Sequence, residues 1–271
     1  MLRLGIVGCG AIGTEICKAI DEGSIEIELT AVYDRHDEHL CNLKSCLENS
    51  APKVLELSEM VKYVNLVVES ASQKAAYDVV TVALESRCDV MVMSVGVFAD
   101  ENFRKKATDL ARQNGCKIYL PSGALIGLDG VKTASCADIY SVTLTTLKHP
   151  ESLAGAPYIL ENNIDLDSID HETVIFEGSA AEAVKKFPAN VNVAATLSLA
   201  GIGFKDTSVK IITDPQITKN IHKLTVDGSF GRFTTRVENL PSPTNPKTSY
   251  LASLSVIATL QKIVNPIQVG T

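Results

Sequence analysis

The chain has 271 residues, of which 45% are hydrophobic and 21% are charged, and its formal net charge at pH 7 is −7. This composition is typical of a soluble globular protein with one large domain or two modest ones. The negative charge argues against nucleic acid or an anionic membrane as a partner. No apolar run reaches the roughly 18 residues of a membrane-spanning helix. Because the net charge is negative, an anionic substrate would need a local cationic pocket.

The seven cysteines all lie in the first half of the sequence, and none forms a C-x-x-C pair. Their spacing matches neither a zinc site nor a redox motif. Residue 2 already begins a predicted strand, so we expect no N-terminal signal segment. These features predict reduced cysteines, no metal site and a cytoplasmic protein.

The first thirteen residues carry a nucleotide-binding motif. Leu2–Val7 is apolar and β-rich, and Gly8, Gly10 and Gly13 follow it at the G-x-G-x-x-G spacing. In this motif the first glycine allows a tight turn, the second leaves room for a pyrophosphate, and the third lets the helix lie close to the strand. The residues predicted to hold the pyrophosphate are Gly8, Gly10, Ala11, Ile12 and Gly13. A glycine turn in another kind of α/β protein is the alternative.

An acidic residue ends the second predicted strand, Ile25–Tyr33. Asp34 lies 21 residues after Gly13, where a carboxylate can accept both ribose hydroxyls of a dinucleotide. Asp34 would also repel a 2′-phosphate, which favours NAD. Arg35 could approach that phosphate and reduce the repulsion, so we predict that NAD is preferred and NADP is tolerated.

Strands and helices alternate through the rest of the first 120 residues. Helices are predicted at 38–49, 58–63 (with Ser58 as N-cap), 73–86 and 101–114, and strands at 65–68, 90–95 and 117–120. This alternation predicts a parallel sheet with right-handed crossovers, whose ligand lies at the carboxyl ends of the strands. The predicted cofactor contacts at those ends are Ser70, Ala71, Ser94, Val95 and Gly96.

The pattern changes at Pro121, where a glycine-rich loop, 122–130, is predicted to begin a second domain. Strands are predicted at 139–148, 173–176, 207–213, 219–226 and 230–237. One helix begins at the capping box formed by Ser179 and Glu182, and a second covers 190–199. Residues 150–170 are predicted to be an irregular surface segment. Hairpin connections with few helices predict an α+β domain on an open mixed, largely antiparallel sheet.

The last segment is predicted to return to the first domain. Residues 241–246 are rich in proline and indicate a stiff linker, and the helix predicted at 248–264 is apolar on most faces. The fold class is therefore α/β, with an N-terminal Rossmann dinucleotide-binding domain formed by 1–120 plus 241–271. The α+β domain covers 121–240 and carries the substrate.

Histidine is the first residue type to consider for proton transfer beside a nicotinamide. Four of the five histidines, His36, His39, His149 and His171, are predicted at the surface. His222 lies in the middle of a strand and shares a face with Leu224 and Val226. A histidine on an apolar face is more often a core residue than a catalyst, so the residue pattern alone leaves both roles open for His222.

Several stretches together resemble the L-aspartate dehydrogenase family. They cover the chain from the first strand to the last helix: Gly8–Gly13, 122–124, 127–130, 177–180, 187–195, 220–222 and 245–249. The resemblance implies a reversible oxidation of L-aspartate by a nicotinamide dinucleotide. The product, iminoaspartate, gives oxaloacetate and ammonia or feeds NAD biosynthesis.

The same resemblance implies roles for three residues: His222 as the acid/base residue, and Ala124 and Asn190 as cofactor contacts. The chemistry suits a histidine. Hydride removal from Cα requires an unprotonated amine, and imine hydrolysis requires an activated water. A group whose pKa is near 6.5 serves both steps.

Further candidates have two interpretations each. Asn190 and Asn192 precede an alanine-rich helix and would either cap it or contact the cofactor. Lys247 precedes Thr248 at a predicted helix start and would either bind a substrate carboxylate or be solvated. Ser122 and Gly123 are also predicted to contact the substrate. Glu69 and Ser94 could simply end strands.

Two alternatives to the family function remain at this point. One is a homoserine dehydrogenase-like or other amino-acid or dicarboxylate reductase, and the other is a dinucleotide sensor without catalysis. In each case we expect a homodimer that binds small molecules and does not bind nucleic acid or membranes.

Overall fold

The computed structural model describes residues 1–188, 191–242 and 245–271, and for 245–247 it describes the backbone alone. The chain forms two compact units. The first consists of Met1–Pro121 with Ala252–Gln268, and the second of Ser122–Leu251 with Val269–Thr271.

The first unit is built on a sheet of six parallel strands in the order β3-β2-β1-β4-β5-β6. The strands are β1 Leu2–Val7, β2 Ile27–Tyr33, β3 Lys53–Val54, β4 Leu66–Glu69, β5 Asp89–Val92 and β6 Ile118–Tyr119. The strand order reverses between β1 and β4, which is where ligands bind in open parallel sheets. The predicted Rossmann fold is confirmed.

Five α-helices of the first unit cover this sheet: α1 Ala11–Asp21, α2 Asp37–Ser45, α3 Leu57–Met60, α4 Gln73–Glu85 and α5 Glu101–Asn114. The predicted helix 38–49 continues four residues beyond the observed end of α2 at Ser45. The carboxylate of Asp21 accepts the N–H groups of Glu48, Asn49 and Ser50, at 2.8 Å for Glu48, and this holds the segment out of the helix.

Two other local predictions in the first unit were wrong. Ser58 is not the N-cap of α3, because that helix begins one residue earlier, after Glu56. The strand predicted at 90–95 ends at Val92, and Val95–Ala99 forms a 3-10 helix instead. The helix predicted at 101–114 is confirmed, and Gly115 caps its C-terminus with φ of 70°.

The second unit contains a five-stranded sheet in the order β11-β10-β7-β9-β8. The strands are β7 Ile139–Lys148, β8 Thr173–Ser179, β9 Thr207–Thr213, β10 Asn220–Gly228 and β11 Gly231–Asn239. β7 and β9 are parallel, and the other three neighbouring pairs are antiparallel. This is the mixed, largely antiparallel sheet that the sequence predicts.

The helices of the second unit depart from the sequence prediction in two places. The helices are α6 Leu128–Ala134, α7 Pro157–Glu161, α8 Ala180–Lys186 and α9 Asn192–Ala200. The predicted glycine-rich loop gives way to α6, which begins directly after Gly127. The segment predicted as surface also contributes to the core, because Leu153 and Ile159 are buried in the cluster that contains Phe176 and Phe187.

The predicted linker after residue 240 is wrong. Pro241–Ser242 (β12) pairs antiparallel with Asn245–Ser249 (β13), and the N–H of Tyr250 donates to the carbonyl of Leu240 at 3.0 Å. Because of this pairing, the chain up to Leu251 groups with the second unit, not with the first as predicted. The last helix, α10 Tyr250–Val264, then adds side chains to the core of the first unit.

Candidate active site

The turn between β1 and α1 has the geometry that a dinucleotide requires. Gly8 has φ of +100°, and a Cβ built there would lie 2.7 Å from the backbone nitrogen of Ala71. A Cβ on Gly13 would lie 2.0 Å from the carbonyl oxygen of Gly8. A Cβ on Gly10 would meet nothing within 4 Å, so open space faces this residue at the start of α1. The turn therefore fits a bound pyrophosphate.

Hydrogen bonds hold the side chain of Asp34 against this turn. Its carboxylate accepts the N–H of Cys9 at 2.7 Å and the N–H of His36 at 2.9 Å, and Nδ1 of His39 lies 3.1 Å from Oδ2. Burial raises the pKa of Asp34, but these hydrogen bonds outweigh it and hold the pKa below its ordinary value. Asp34 is therefore ionised at neutral pH. Arg35 is exposed, and its Nε donates to His36.

Glu69 is an organising residue whose importance the sequence prediction missed. It ends β4 and is fully buried. Oε1 accepts the N–H groups of Ala71 and Ser72 at 2.8 and 3.0 Å, and Ser94 donates its N–H to Oε2 and its hydroxyl to Oε1. Burial raises the pKa of Glu69 above its ordinary value, although the four hydrogen bonds to its carboxylate act in the opposite direction. One carboxylate thus joins the segments that follow β4 and β5. The only sequence signal was an acid directly after an apolar strand.

The predicted cofactor contacts of the first unit converge on these carboxyl strand ends. Ala11 and Ile12 form the first turn of α1. The hydroxyl of Ser70 donates to the carbonyl of Gly8 at 2.8 Å, which links the segment after β4 to the glycine turn. Val95 and Gly96 are buried in the 3-10 helix after β5.

In the second unit, His222 is buried, with 4% of its surface exposed. It lies on β10 directly opposite Thr146 of β7, whose Oγ1 is 3.0 Å from Nδ1 of the imidazole. Leu224, on the same face, is fully buried. Burial lowers the pKa of His222 to about 3, and the positive charge of Lys148 adds to the effect. The imidazole is therefore neutral at neutral pH.

Lys148 is the last residue of β7 and a second group that the sequence prediction missed. Burial lowers the pKa of Lys148 to about 8. Together with Thr146 it lines a cavity on the side of the sheet that carries α9. The other described lining residues are apolar: Leu144, Leu153, Ala183, Val191, Ala194, Val209 and Ile211. Sequence could not indicate this role, because it depends on how β7 pairs with β9 and on which helices pack against them.

Two side chains of β11 hold the segment that contains Ala124. Asn239 donates from Nδ2 to the carbonyl of Ala124 at 3.1 Å, and the hydroxyl of Thr235 donates to the carbonyl of Ile126 at 3.1 Å. Ala124 and Asn239 are both buried. The predicted substrate contacts Ser122 and Gly123 immediately precede Ala124 in the chain.

The remaining site predictions concern Asn190, Asn192, Lys247 and Thr248. Asn190 lies outside the described residues, and so does the side chain of Lys247. Asn192 is not an N-cap, because Val191 takes that position in α9. Thr248 lies in β13, so it is not in the predicted helix.

All seven cysteines are free thiols. Across residues 1–188, 191–242 and 245–271, no three His, Cys, Asp or Glu side chains come together as a metal site would require. In the same part of the chain, no helix has both the length and the apolar character needed to span a membrane.

Comparisons with known proteins cover both units. Residues 8–121 match the family described as homoserine dehydrogenase, NAD binding domain, and residues 129–263 match aspartate dehydrogenase, C-terminal. The chain is 66% identical to L-aspartate dehydrogenase of Methanococcoides burtonii and 44% identical to that of Nitrosopumilus maritimus, with all of each chain covered. It superposes on the crystal structure of aspartate dehydrogenase from Thermotoga maritima with a TM-score of 0.75 and 29% identity, also over both whole chains.

A Rossmann unit with an NAD-binding glycine turn, combined with these matches, makes the protein a nicotinamide-dependent oxidoreductase. The full-length similarity is more specific than that class. The chain belongs to the L-aspartate dehydrogenase family.

The position of Asp34 predicts how the cofactor preference can be changed. In Asp34→Ser, the ratio of kcat/KM with NAD to that with NADP should fall by about tenfold or more, because the charge that repels a 2′-phosphate is removed. Steady-state kinetics with both dinucleotides measures this ratio. Asp37→Ser is the matched control, since Asp37 is exposed at the start of α2. An unchanged ratio in Asp34→Ser would show that Asp34 does not bind the ribose hydroxyls.

Proposed function

We propose that the protein is an NAD-dependent L-aspartate dehydrogenase. It oxidises L-aspartate to iminoaspartate, which water converts to oxaloacetate and ammonia, and the reaction is reversible. The observation that carries the proposal is a buried, neutral imidazole, that of His222, held by a strand in the unit that matches the aspartate dehydrogenase C-terminal family. The names of the full-length relatives support the same substrate.

Bound NAD supplies the acceptor for the hydride that leaves Cα of the substrate. The residues that would hold it in the first unit are the three glycines of the turn and Asp34. Glu69 keeps the segments after β4 and β5 in place by accepting their N–H groups. None of these groups has to transfer a proton.

His222 is the proposed proton acceptor. Its Nδ1 shares a hydrogen bond with the hydroxyl of Thr146, in which either group can donate. We assign the proton to Nδ1, because the lone pair of Nε2 is then available as a base. Neutral His222 can take a proton from the substrate ammonium before hydride transfer. After that proton has passed to solvent, the neutral imidazole can take a second one from the water that attacks the imine.

Other site assignments are proposed on the same basis. Ala124, Asn190 and Asn192 are carried forward as cofactor contacts, and Ser122, Gly123, Lys247 and Thr248 as substrate contacts. The hydrogen bond from Asn239 to Ala124 supports a fixed position for the first of these. The family resemblance in the sequence supports Asn190.

Some finer properties are also proposals. NADP should be accepted less well than NAD, because Asp34 is ionised and Arg35 contacts His36. Iminoaspartate as product would suit a role in NAD biosynthesis. Seven free thiols suit a reducing compartment such as the cytoplasm. The homodimer stays a prediction from sequence, and light scattering tests it.

The substrate assignment has a direct test. With NAD, absorbance at 340 nm should rise when L-aspartate is added and should not rise with homoserine. A match over residues 129–263 to aspartate dehydrogenase motivates this expectation. Activity with homoserine instead would favour the reductase alternative. Tight NAD binding with no turnover of any substrate would favour a dinucleotide sensor.

His222→Ala separates a catalytic role from a packing role. We expect kcat with L-aspartate to fall by roughly 10²–10⁴-fold, the usual contribution of a general acid–base group. The Kd of NAD should remain close to that of the wild type. The control is His171→Ala, because the His171 side chain is 79% exposed. A lower melting temperature combined with normal activity per folded molecule would instead make His222 a core residue.

A further inference from the structure

The second unit places a lysine beside its buried histidine. His222 pairs with Thr146, and Lys148 lies two residues further along β7, so all three side chains share one face of the sheet. Diagonal neighbours of this kind are about 7–8 Å apart. The Lys148 ammonium stands on a flexible four-carbon stem, and its charge acts on the imidazole.

The cavity beside Lys148 has apolar walls. Val191 at the N-cap of α9, Ala194 of α9 and Ala183 of α8 line it on the helix side. Lys148 is half-buried beside these apolar side chains, and an anion stabilises a positive charge more strongly there than it does in bulk water. The protein as a whole carries a net charge of −7, so an anionic substrate requires a local positive charge such as that of Lys148.

The other charged and titratable side chains near the ends of these elements are engaged elsewhere. The carboxylate of Asp214 accepts the N–H of Gln216, and that of Glu151 lies 3.8 Å from Nδ1 of His149. Lys186 of α8 lies over the rings of Tyr158 and Phe176. His222 shares one face of the sheet with Lys148, and the charge of Lys148 acts on its imidazole.

We propose that Lys148 binds a carboxylate of the substrate and so positions the amino acid against His222. The inference rests on the proposed function and names the group that recognises an anionic substrate. A bound carboxylate offsets the Lys148 charge and adds a negative charge near the imidazole. Both effects raise the pKa of His222. Substrate binding would thus strengthen the base that the reaction needs.

Succinate is a suitable probe, because it carries two carboxylates and has no amine to oxidise. Its inhibition constant against L-aspartate is measured at saturating NAD for the wild type, Lys148→Met and Lys148→Arg. Methionine has a similar length without the charge. We expect Lys148→Met to weaken succinate binding about 10- to 100-fold and to leave the Kd of NAD within twofold of the wild type. The arginine variant should retain much of the affinity.

Lys223→Met is the matched control. Lys223 is exposed on β10, next to His222 in sequence and on the opposite face of the sheet, so its loss removes the same charge without touching the cavity. Succinate should bind this variant as it binds the wild type.

The pH dependence of succinate binding tests the same proposal without the Lys148→Met variant. Only a protonated Lys148 attracts the dianion, so succinate binding to the wild type should weaken as pH rises through about 8, by tenfold per unit. His222 is neutral throughout that range. In Lys148→Arg the affinity should stay level over the same range, because the guanidinium remains charged.

The outcomes distinguish the two proposals. If the wild type oxidises L-aspartate but folded Lys148→Met binds succinate normally, the inference is overturned and the proposed function stands. A wild-type affinity that does not change above pH 8 overturns it as well. If the wild type neither oxidises L-aspartate nor binds succinate, both proposals fail.

Discussion

The first unit depends on the absence of side chains where α1 meets the end of β1. A Cβ on Gly13 would lie 2.0 Å from the carbonyl oxygen of Gly8, so no other residue allows the helix to approach so closely. That approach puts the first turn of α1 at the carboxyl edge of the sheet. Two carboxylates then order the edge. The half-buried Asp34 accepts the N–H of Cys9 within the turn, and the buried Glu69 joins the segments after β4 and β5. The cofactor surface is therefore prearranged by backbone donors and buried acceptors.

In the second unit the chemistry depends on strand register. Thr146, Lys148 and His222 stand on regular strands, and a slip of one residue would turn the side chains of the slipped strand to the opposite face. Burial keeps the imidazole neutral, while the neighbouring ammonium opposes its protonation further. A base in this setting is available at neutral pH, and an arriving carboxylate can strengthen it. In the proposed mechanism, the catalytic residue and the residue that binds the substrate carboxylate share one face of the sheet.

Local signals allowed most of the fold and part of the site to be predicted from sequence. The glycine spacing and the capping box at Ser179 each act within a few residues, and Asp34 was found by its distance of 21 residues from Gly13. The structure shows the predicted geometry at the turn and at this helix start. Contacts between distant residues could not be read in this way. The pairing of β12 with β13 replaces the expected linker, and Lys148 gains its significance from a strand more than 70 residues away. Glu69 looked like a strand end, because its partners become visible only when neighbouring strands are placed side by side.

The central claim is that His222 is a buried base, neutral in the free protein and strengthened by a bound dicarboxylate. Nitrogen NMR of the histidine side chains measures this directly, with the His222 signals assigned by their loss in His222→Gln. The account predicts a neutral imidazole from about pH 5 to about pH 8 without ligand, since its pKa is lowered to about 3. Succinate and NAD together should move its titration to higher pH. A titration near the ordinary value of about 6.5 in the free protein, unchanged by succinate, would contradict the account.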